Sequence, residues 1–470
     1  MSSPTKNRPA TVPRALVLRR PAALGTRHLT MIGLGGAIGA GLFVGSGAGI
    51  AIAGPGILVS FLAAGLLAVL VMRMMGEMSV ALPASGSFSA HAERALGSWA
   101  GFTVGWLYWA LISVVLAIEA TGAAVIVHAW VPTVASWIWV LLFMAGLTAA
   151  NLVSVRMFGE FEFWFAILKV GSIIGFLVLG VLAVTGALPG EAAIGLTNLT
   201  AHGGFLPNGW DGVLSGLLAV VFAFGGMEIV TLAAAESEDP VRGLSNAMRS
   251  VVWRLLVFYV GSVAVVVLVL PWNDSKVGES PFVAVLEHEG LSSAGQVMNV
   301  VLLASLLSAL NANLYAASRM VCSLAERGEA PKALRKLSDT GVPQRAVLVS
   351  VAFGFLSVLL NFQWPDSVFL WMLNGVGAIA LVVWIAVAVS QLRLRAVLER
   401  EAPERLVFRM WGFPALTILA LVAMGAVLVL LAVKESSRPQ VVGTGVVTAA
   451  VLAVGLLRQR RQRTQRTSAP

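Results

Sequence analysis

The chain has 470 residues, 58% hydrophobic and 12% charged, with a formal net charge of +9. Soluble domains average about 25% charged residues, so a soluble enzyme with a large core is excluded and a polytopic membrane protein is indicated. The single cysteine, Cys322, excludes an intrachain disulfide, and with no histidine near it in sequence a catalytic thiol is unsupported.

Residues 1–27 hold six basic residues and no long apolar run, which predicts a cytoplasmic tail rather than a cleaved signal peptide. Apolar stretches of roughly 20 residues, the length that crosses hydrocarbon, follow near 29–53, 57–82, 99–128, 133–155, 162–186 and 212–235. Six more lie near 250–271, 294–324, 345–362, 367–391, 411–433 and 440–457. The prediction is an all-α membrane protein of twelve spans, with one transmembrane domain over 28–458 and a basic cytoplasmic tail over 459–470. Between the ninth and tenth spans only Asn361-Phe362-Gln363-Trp364-Pro365-Asp366 intervenes, and Pro365 marks a turn there. The polar, amphipathic segment 83–97 predicts a connecting helix. The long loop 271–293 contains Pro281-Phe282-Val283-Ala284-Val285-Leu286, which predicts a short helix over the outer face.

This topology puts 28 of the 32 lysines and arginines on one side. Only Lys276, Lys434 and Arg438 fall on the other, and Lys169 is left inside a span. The basic side is cytoplasmic, so both termini are cytoplasmic in the plasma membrane. The net charge is thereby explained by topology, without a nucleic-acid partner.

Two spans are damaged. The first contains Gly33-Leu34-Gly35-Gly36-Ala37-Ile38-Gly39-Ala40-Gly41-Leu42-Phe43 and the sixth contains Phe222-Ala223-Phe224-Gly225-Gly226-Met227-Glu228. Glycine weakens a helix, and unwound backbone in lipid leaves polar groups unsatisfied unless it lines a protein cavity. Paired breaks in corresponding halves of a chain point to a transporter's binding site. Gly41 and Gly226 are about 185 residues apart, close to five spans with their loops. An odd number of spans per repeat inverts the second copy and sets the two breaks facing each other near the midplane.

Ionisable residues within spans are costly and usually face a cavity or a partner. Glu119 in the third span, Lys169 in the fifth and Glu228 in the sixth are therefore candidates for proton coupling. A buried ammonium can serve as a fixed positive charge or can release its proton during a transport cycle. Glu77, Glu160 and Glu162 fall near the cytoplasmic interface and are expected to be solvated or gate-side. In the eighth span Ser308 and Asn311 share a helix face, and both lining the site and bonding between helices suit them. The five histidines show no metal-ligand spacing, so neither a metal nor another cofactor is expected.

These residues resemble a known family. The run Gly35-Gly36-Ala37-Ile38-Gly39-Ala40-Gly41-Leu42-Phe43 is similar to the first-span signature of bacterial amino acid permeases of the amino acid–polyamine–organocation superfamily. So are Pro83-Ala84-Ser85-Gly86-Ser87-Phe88-Ser89, Phe158-Gly159-Glu160-Phe161-Glu162-Phe163-Trp164 and Ala234-Ala235-Glu236-Ser237-Glu238-Asp239-Pro240. The resemblance runs from about 26 to 455. Gly204-Phe205-Leu206-Pro207-Asn208-Gly209 and Glu228-Ile229-Val230-Thr231-Leu232-Ala233 look most like the GABA permeases, whereas the first break resembles α-amino acid permeases. His91 departs from the tyrosine usual in the family.

The resemblance implies a five-plus-five inverted repeat with two extra helices, and a transporter rather than an enzyme. By position it gives the substrate carboxylate to backbone N–H groups around Ala37, Ile38, Gly39, Ala40 and Gly41, in keeping with the anion preference of helix N-termini. It gives the amino group to carbonyls near Phe222, Phe224, Gly225 and Gly226. Phe222 matches an aromatic gate, Glu228 a proton-sensing acid and Lys169 a lysine associated with proton coupling. The pocket candidates Phe222, Ser113, Ala117, Ser308 and Asn374 are uncharged, which favours a neutral amino acid: GABA, or a small or aromatic α-amino acid. Proton-coupled import by alternating access is the expectation. An exchanger on the same fold and a non-transporting sensor are the alternatives. Amino acid, protons and the bilayer are the expected partners.

Overall fold

The computed structural model describes residues 25–153, 155–188, 193–234, 237, 239–364, 368–435 and 438–467. Most of the tail expected over 1–27 and the Pro365-Asp366 turn lie outside these residues. The first span is three helical pieces, α1 (Thr26–Gly35), α2 (Ala40–Phe43) and α3 (Gly45–Ala53). The next elements are α4 (Ile57–Ala81), the connecting helix α5 (Ser87–Leu96), α6 (Ser98–Trp130), α7 (Ser136–Val153) and α8 (Val155–Thr185). The sixth span is again broken, into α9 (Gly209–Ala223) and α10 (Ile229–Ala233). Then come α11 (Pro240–Val269), the short helices α12 (Ser275–Glu279) and α13 (Pro281–His288), and α14 (Ser292–Glu326). The last four are α15 (Gln344–Gln363), α16 (Val368–Glu401), α17 (Ala415–Val433) and α18 (Arg438–Thr467).

With the three pieces of the first span and the two of the sixth joined, twelve spans result, as expected. Several run past their apolar windows. α11 begins at Pro240 and α18 continues through Thr467 into the basic tail, because helix persists into the interface once water can satisfy its polar face. Local chemistry sets the starts. The Asp239 carboxylate accepts from the Arg242 N–H at 3.1 Å and Pro240 occupies the first turn of α11, a side-chain cap with a pre-set φ.

Helix packing repeats with a period of five spans. α1 packs on α8 and α11, and α9 packs correspondingly on α16 and α4. α6–α16 is matched by α14–α8, while α4–α11, α6–α14 and α7–α15 are pairs that map onto themselves. This is an inverted five-plus-five repeat, with α17 and α18 outside it. The connecting helices obey the same relation. α5 follows the second span and packs on α10; α12 and α13 follow the seventh, and α12 packs on α3.

The basic residues gather at one end. There Arg327 donates to the Ser89 Oγ at 2.6 Å and the Ser323 Oγ at 2.7 Å, and pairs with Glu93 and Glu329 at 3.0 Å each. Arg458 donates to the carbonyls of Gly328 and Glu329, tying α18 to the same cluster. His91 is buried in α5 and donates from Nε2 to the Leu82 carbonyl at 2.9 Å. It thus satisfies a carbonyl left over at the end of α4. Burial pushes its pKa down to about 4, so it stays neutral.

Burial, reinforced by Glu93 and opposed by Arg327 and Arg458, pushes the Glu329 carboxyl from 4.5 up to about 7. A proton held more tightly in the folded state stabilises it fully below 4.5, and that contribution is lost as pH rises through about 7. Glu329→Gln should therefore reduce the fall in melting temperature that the wild type shows between about pH 6 and about pH 8. Thermal scans at the two pH values check this, and an unchanged difference would refute the assignment.

Candidate functional site

The two breaks face each other across a cavity lined by Gly36, Ala37, Gly41, Phe222, Gly225 and Glu228 from the broken spans. Leu111, Val115 and Glu119 of α6, Asn313 of α14, and Val376 and Ala380 of α16 complete it. Its volume is about 20 Å³, room for about one water. Glycine is required by close approach. A Cβ on Gly41 would overlap the Ala223 Cα, and one on Gly226, at φ +92°, would meet the Gly36 carbonyl oxygen.

The unwound backbone of the first break is satisfied by side chains from three different spans. The Glu119 carboxylate accepts from the Ala40 N–H with both oxygens at 3.1 Å, at the N-terminus of α2. Lys169 Nζ donates to the Gly35 carbonyl at 2.6 Å, and Tyr259 Oη donates to the Ala37 carbonyl at 2.6 Å. Tyr259 stacks on Phe224 at 4.8 Å, so Phe224 buttresses the break from behind rather than lining the cavity. The close approaches of Gly36 and Gly41 to the sixth span keep the breaks in contact, with Ile38 buried and Gly39 lying against Glu119.

Around the Lys169 ammonium the carboxylates of Glu162 and Glu119 are both near enough to interact with it. Glu162 is fully buried and accepts from the Ser308 Oγ at 3.0 and 2.9 Å. Of the two expectations for Glu162, solvated or gate-side, the solvated one is corrected here: its helix face turns inward. Glu77 is corrected likewise. It is buried and bonded by Arg395, by Gln391 Nε2 at 2.7 Å and by the Met410 N–H at 2.6 Å. Glu160 does lie at the surface, paired with Arg27 at 2.7 Å and His28 at 3.2 Å.

Glu228 lines the cavity beneath the second break and lies against the Gly226 and Glu228 N–H groups. Its Oε2 and the hydroxyl of neighbouring Tyr108 are both buried and lie close enough to interact with each other, though outside strict hydrogen-bond geometry. Ser113 donates to the Trp109 carbonyl of its own helix at 2.8 Å, and the Ser308 hydroxyl is spent on Glu162. Neither serine lines the cavity. Asn311 pairs with Asn151 at 2.6 Å, which is bonding between helices. The Asn374 side chain lies outside the described residues. Phe43 packs on Phe282 at 5.0 Å towards one end, and Phe158 stacks on Tyr315 at 4.2 Å towards the other.

Residues 28–458 match the sequence profile of the amino acid permease family. The chain belongs to that family. The permease is 49% identical to the gamma-aminobutyric acid permease of Bacillus subtilis, over 95% of each chain. It is 46% identical to a probable GABA permease of Pseudomonas aeruginosa, over 93% of this chain and 92% of the relative. It is 47% identical to the aromatic amino acid transport protein AroP of Corynebacterium glutamicum, over 90% and 92%. A mutant form of a manganese transporter from Eremococcus coleocola superposes with a TM-score of 0.57 at 13% identity, covering 93% of the permease and 94% of that chain. That likeness concerns the fold alone.

Sequence reasoning missed Glu162 and Tyr259, though both left a signal. Glu162 and Lys169 are seven residues apart, two turns, and so share a helix face. Tyr259 is one of only three tyrosines and sits within the seventh span, where a hydroxyl needs a partner.

Proposed function

We propose that the permease imports a neutral amino acid across the plasma membrane together with protons, with alternating access and both termini in the cytoplasm. Ala37–Gly41 receives the substrate carboxylate and Phe222–Gly226 the ammonium, with Glu119, Lys169 and Glu228 handling the proton. The observation that carries this reading is the Glu119 carboxylate on the Ala40 N–H. That N–H is the donor expected to hold the substrate carboxylate. Two carboxylates cannot share it, because like charges about 4 Å apart repel by several kcal/mol at a partly buried site. Substrate therefore enters as Glu119 leaves. A carboxylate displaced inside protein needs a new partner or a proton, so each binding event draws a proton in. Lys169 and Glu162 hold the neighbouring charge, and Lys169 on the Gly35 carbonyl links it to the moving backbone.

The remaining wall, Leu111, Val115, Phe222, Val376 and Ala380 with the uncharged Asn313, carries no charge and suits an uncharged side chain. A cavity of about 20 Å³ is far too small for an amino acid. The α1–α2 and α9–α10 segments must part for substrate to enter. Because the relatives carry the names of GABA permeases and an aromatic amino acid transporter, GABA and aromatic amino acids are the first substrates to test. The decisive experiment is uptake into proteoliposomes under an inward proton gradient with no internal amino acid. Concentrative uptake is expected; uptake confined to preloaded vesicles would establish an exchanger instead.

A further inference from the structure

We propose that the basic end of the permease holds the phosphate of an anionic membrane lipid in a pocket between α4, α11 and the 402–414 segment. The pocket encloses about 150 Å³ and lies apart from the transport site. Two arginines line it, Arg73 from α4 and Arg249 from α11, each near enough to feel the other's charge. Among the described residues neither has a carboxylate within ion-pair distance. The acid closest in sequence to Arg73, Glu77, is one helical turn away and near enough to attract it, but its oxygens are engaged by Arg395, Gln391 and the Met410 N–H. Two neighbouring guanidinium groups with no ion-paired carboxylate among the described residues repel each other, and an anion between them reverses that repulsion. Phosphate suits them because guanidinium binds its oxygens in a two-pronged geometry.

The pocket is built rather than incidental. The Arg73 guanidinium carbon sits 3.7 Å from the Phe408 ring centroid and 4.5 Å from that of Trp411. Its Nε donates to the Arg409 carbonyl at 2.8 Å. That bond and the two rings fix the group, and its terminal nitrogens make no hydrogen bond among the described residues. Trp253 stacks on Trp411 at 6.3 Å, and both are exposed, as tryptophans at a headgroup level are.

The surface leading away from the pocket argues for a lipid over a free anion. Leu62 and Leu66 on α4, and Trp253 and Val257 on α11, are each four residues apart and exposed. Each pair therefore forms one stripe of its helix. The two helices pack together, so the stripes make an apolar path running from the arginines towards the middle of the spans. A phosphate at Arg73 and Arg249 places acyl chains along it. Basic pockets between spans on the cytoplasmic side are known to favour such headgroups. The bound lipid would bridge α4 and α11, which contact the first and sixth spans, to the segment joining α16 and α17.

The test is native mass spectrometry of the delipidated permease titrated with phosphatidylglycerol, with phosphatidylcholine and inorganic phosphate as separate arms. Phosphatidylglycerol should bind the wild type at least tenfold more tightly than phosphatidylcholine. Arg249→Gln, at an exposed position, should lose that preference. Arg73→Gln should lose it too, and circular dichroism shows whether that variant remains folded. Inorganic phosphate should not displace the lipid. Undiminished preference in Arg249→Gln would overturn the site, and displacement by inorganic phosphate at equal concentration would overturn its assignment to a lipid. Neither outcome bears on substrate transport, which the proton-gradient experiment tests separately.

Discussion

Glu119→Gln is expected to convert the permease from a concentrating transporter into one that only equilibrates its substrate. The amide oxygen can still accept from the Ala40 N–H, so the first break stays capped and the fold survives. The variant cannot take up a proton there, and substrate entry no longer draws one in. A single-proton symporter gains about 1.4 kcal/mol per pH unit, which supports roughly tenfold accumulation across a one-unit gradient. The variant should support none, while counterflow between preloaded and external amino acid continues. A second effect follows from competition. Hydrogen bonds to charged groups contribute about 1 kcal/mol more than neutral ones. The substrate therefore faces a weaker rival, and its affinity at alkaline pH should rise about fivefold. Accumulation at the wild-type level in Glu119→Gln would remove the basis for the coupling.

Lys169→Ala should abolish accumulation and also weaken the protein. The ammonium donates to the Gly35 carbonyl and interacts with Glu162 and Glu119, in a fully buried position. Its removal strands a carbonyl at the break and leaves two carboxyl groups without their cation. Deleting a buried cation whose nearby carboxyl groups it helps to compensate costs on the order of a few kcal/mol. Lower thermal stability is expected, with partial retention of counterflow. Adding Glu162→Gln should recover much of the stability but none of the accumulation, which separates the structural part of the role from the coupling part. Undiminished proton-driven accumulation in Lys169→Ala would contradict it.

The spans, the two breaks and their mutual placement were legible because lipid imposes strong rules. Hydropathy marks spans, and glycines clustered within an apolar run mark unwound backbone. Partners were less legible. Glu162 and Glu77 look like interfacial carboxylates in sequence, yet their bonds come from Ser308 and from Arg395 and Gln391, far along the chain. Hydropathy carries no information about such pairings. The serines show the converse. Ser113 and Ser308 were plausible lining residues, but Ser113 bonds its own helix and Ser308 a neighbouring acid, because a hydroxyl in a span takes the nearest acceptor. Glu119 was legible as an intramembrane charge. Its attachment to the same N–H expected for the substrate came only with the fold.

The account turns on that shared donor, and proton uptake on substrate binding tests it directly. Calorimetric titration of the purified permease with its amino acid, in buffers of different ionisation enthalpy, counts the protons taken up per substrate bound. About one proton per substrate is expected for the wild type above neutral pH, falling to none in Glu119→Gln. Binding by the wild type with no proton uptake would contradict the exchange of Glu119 for the substrate carboxylate at Ala40.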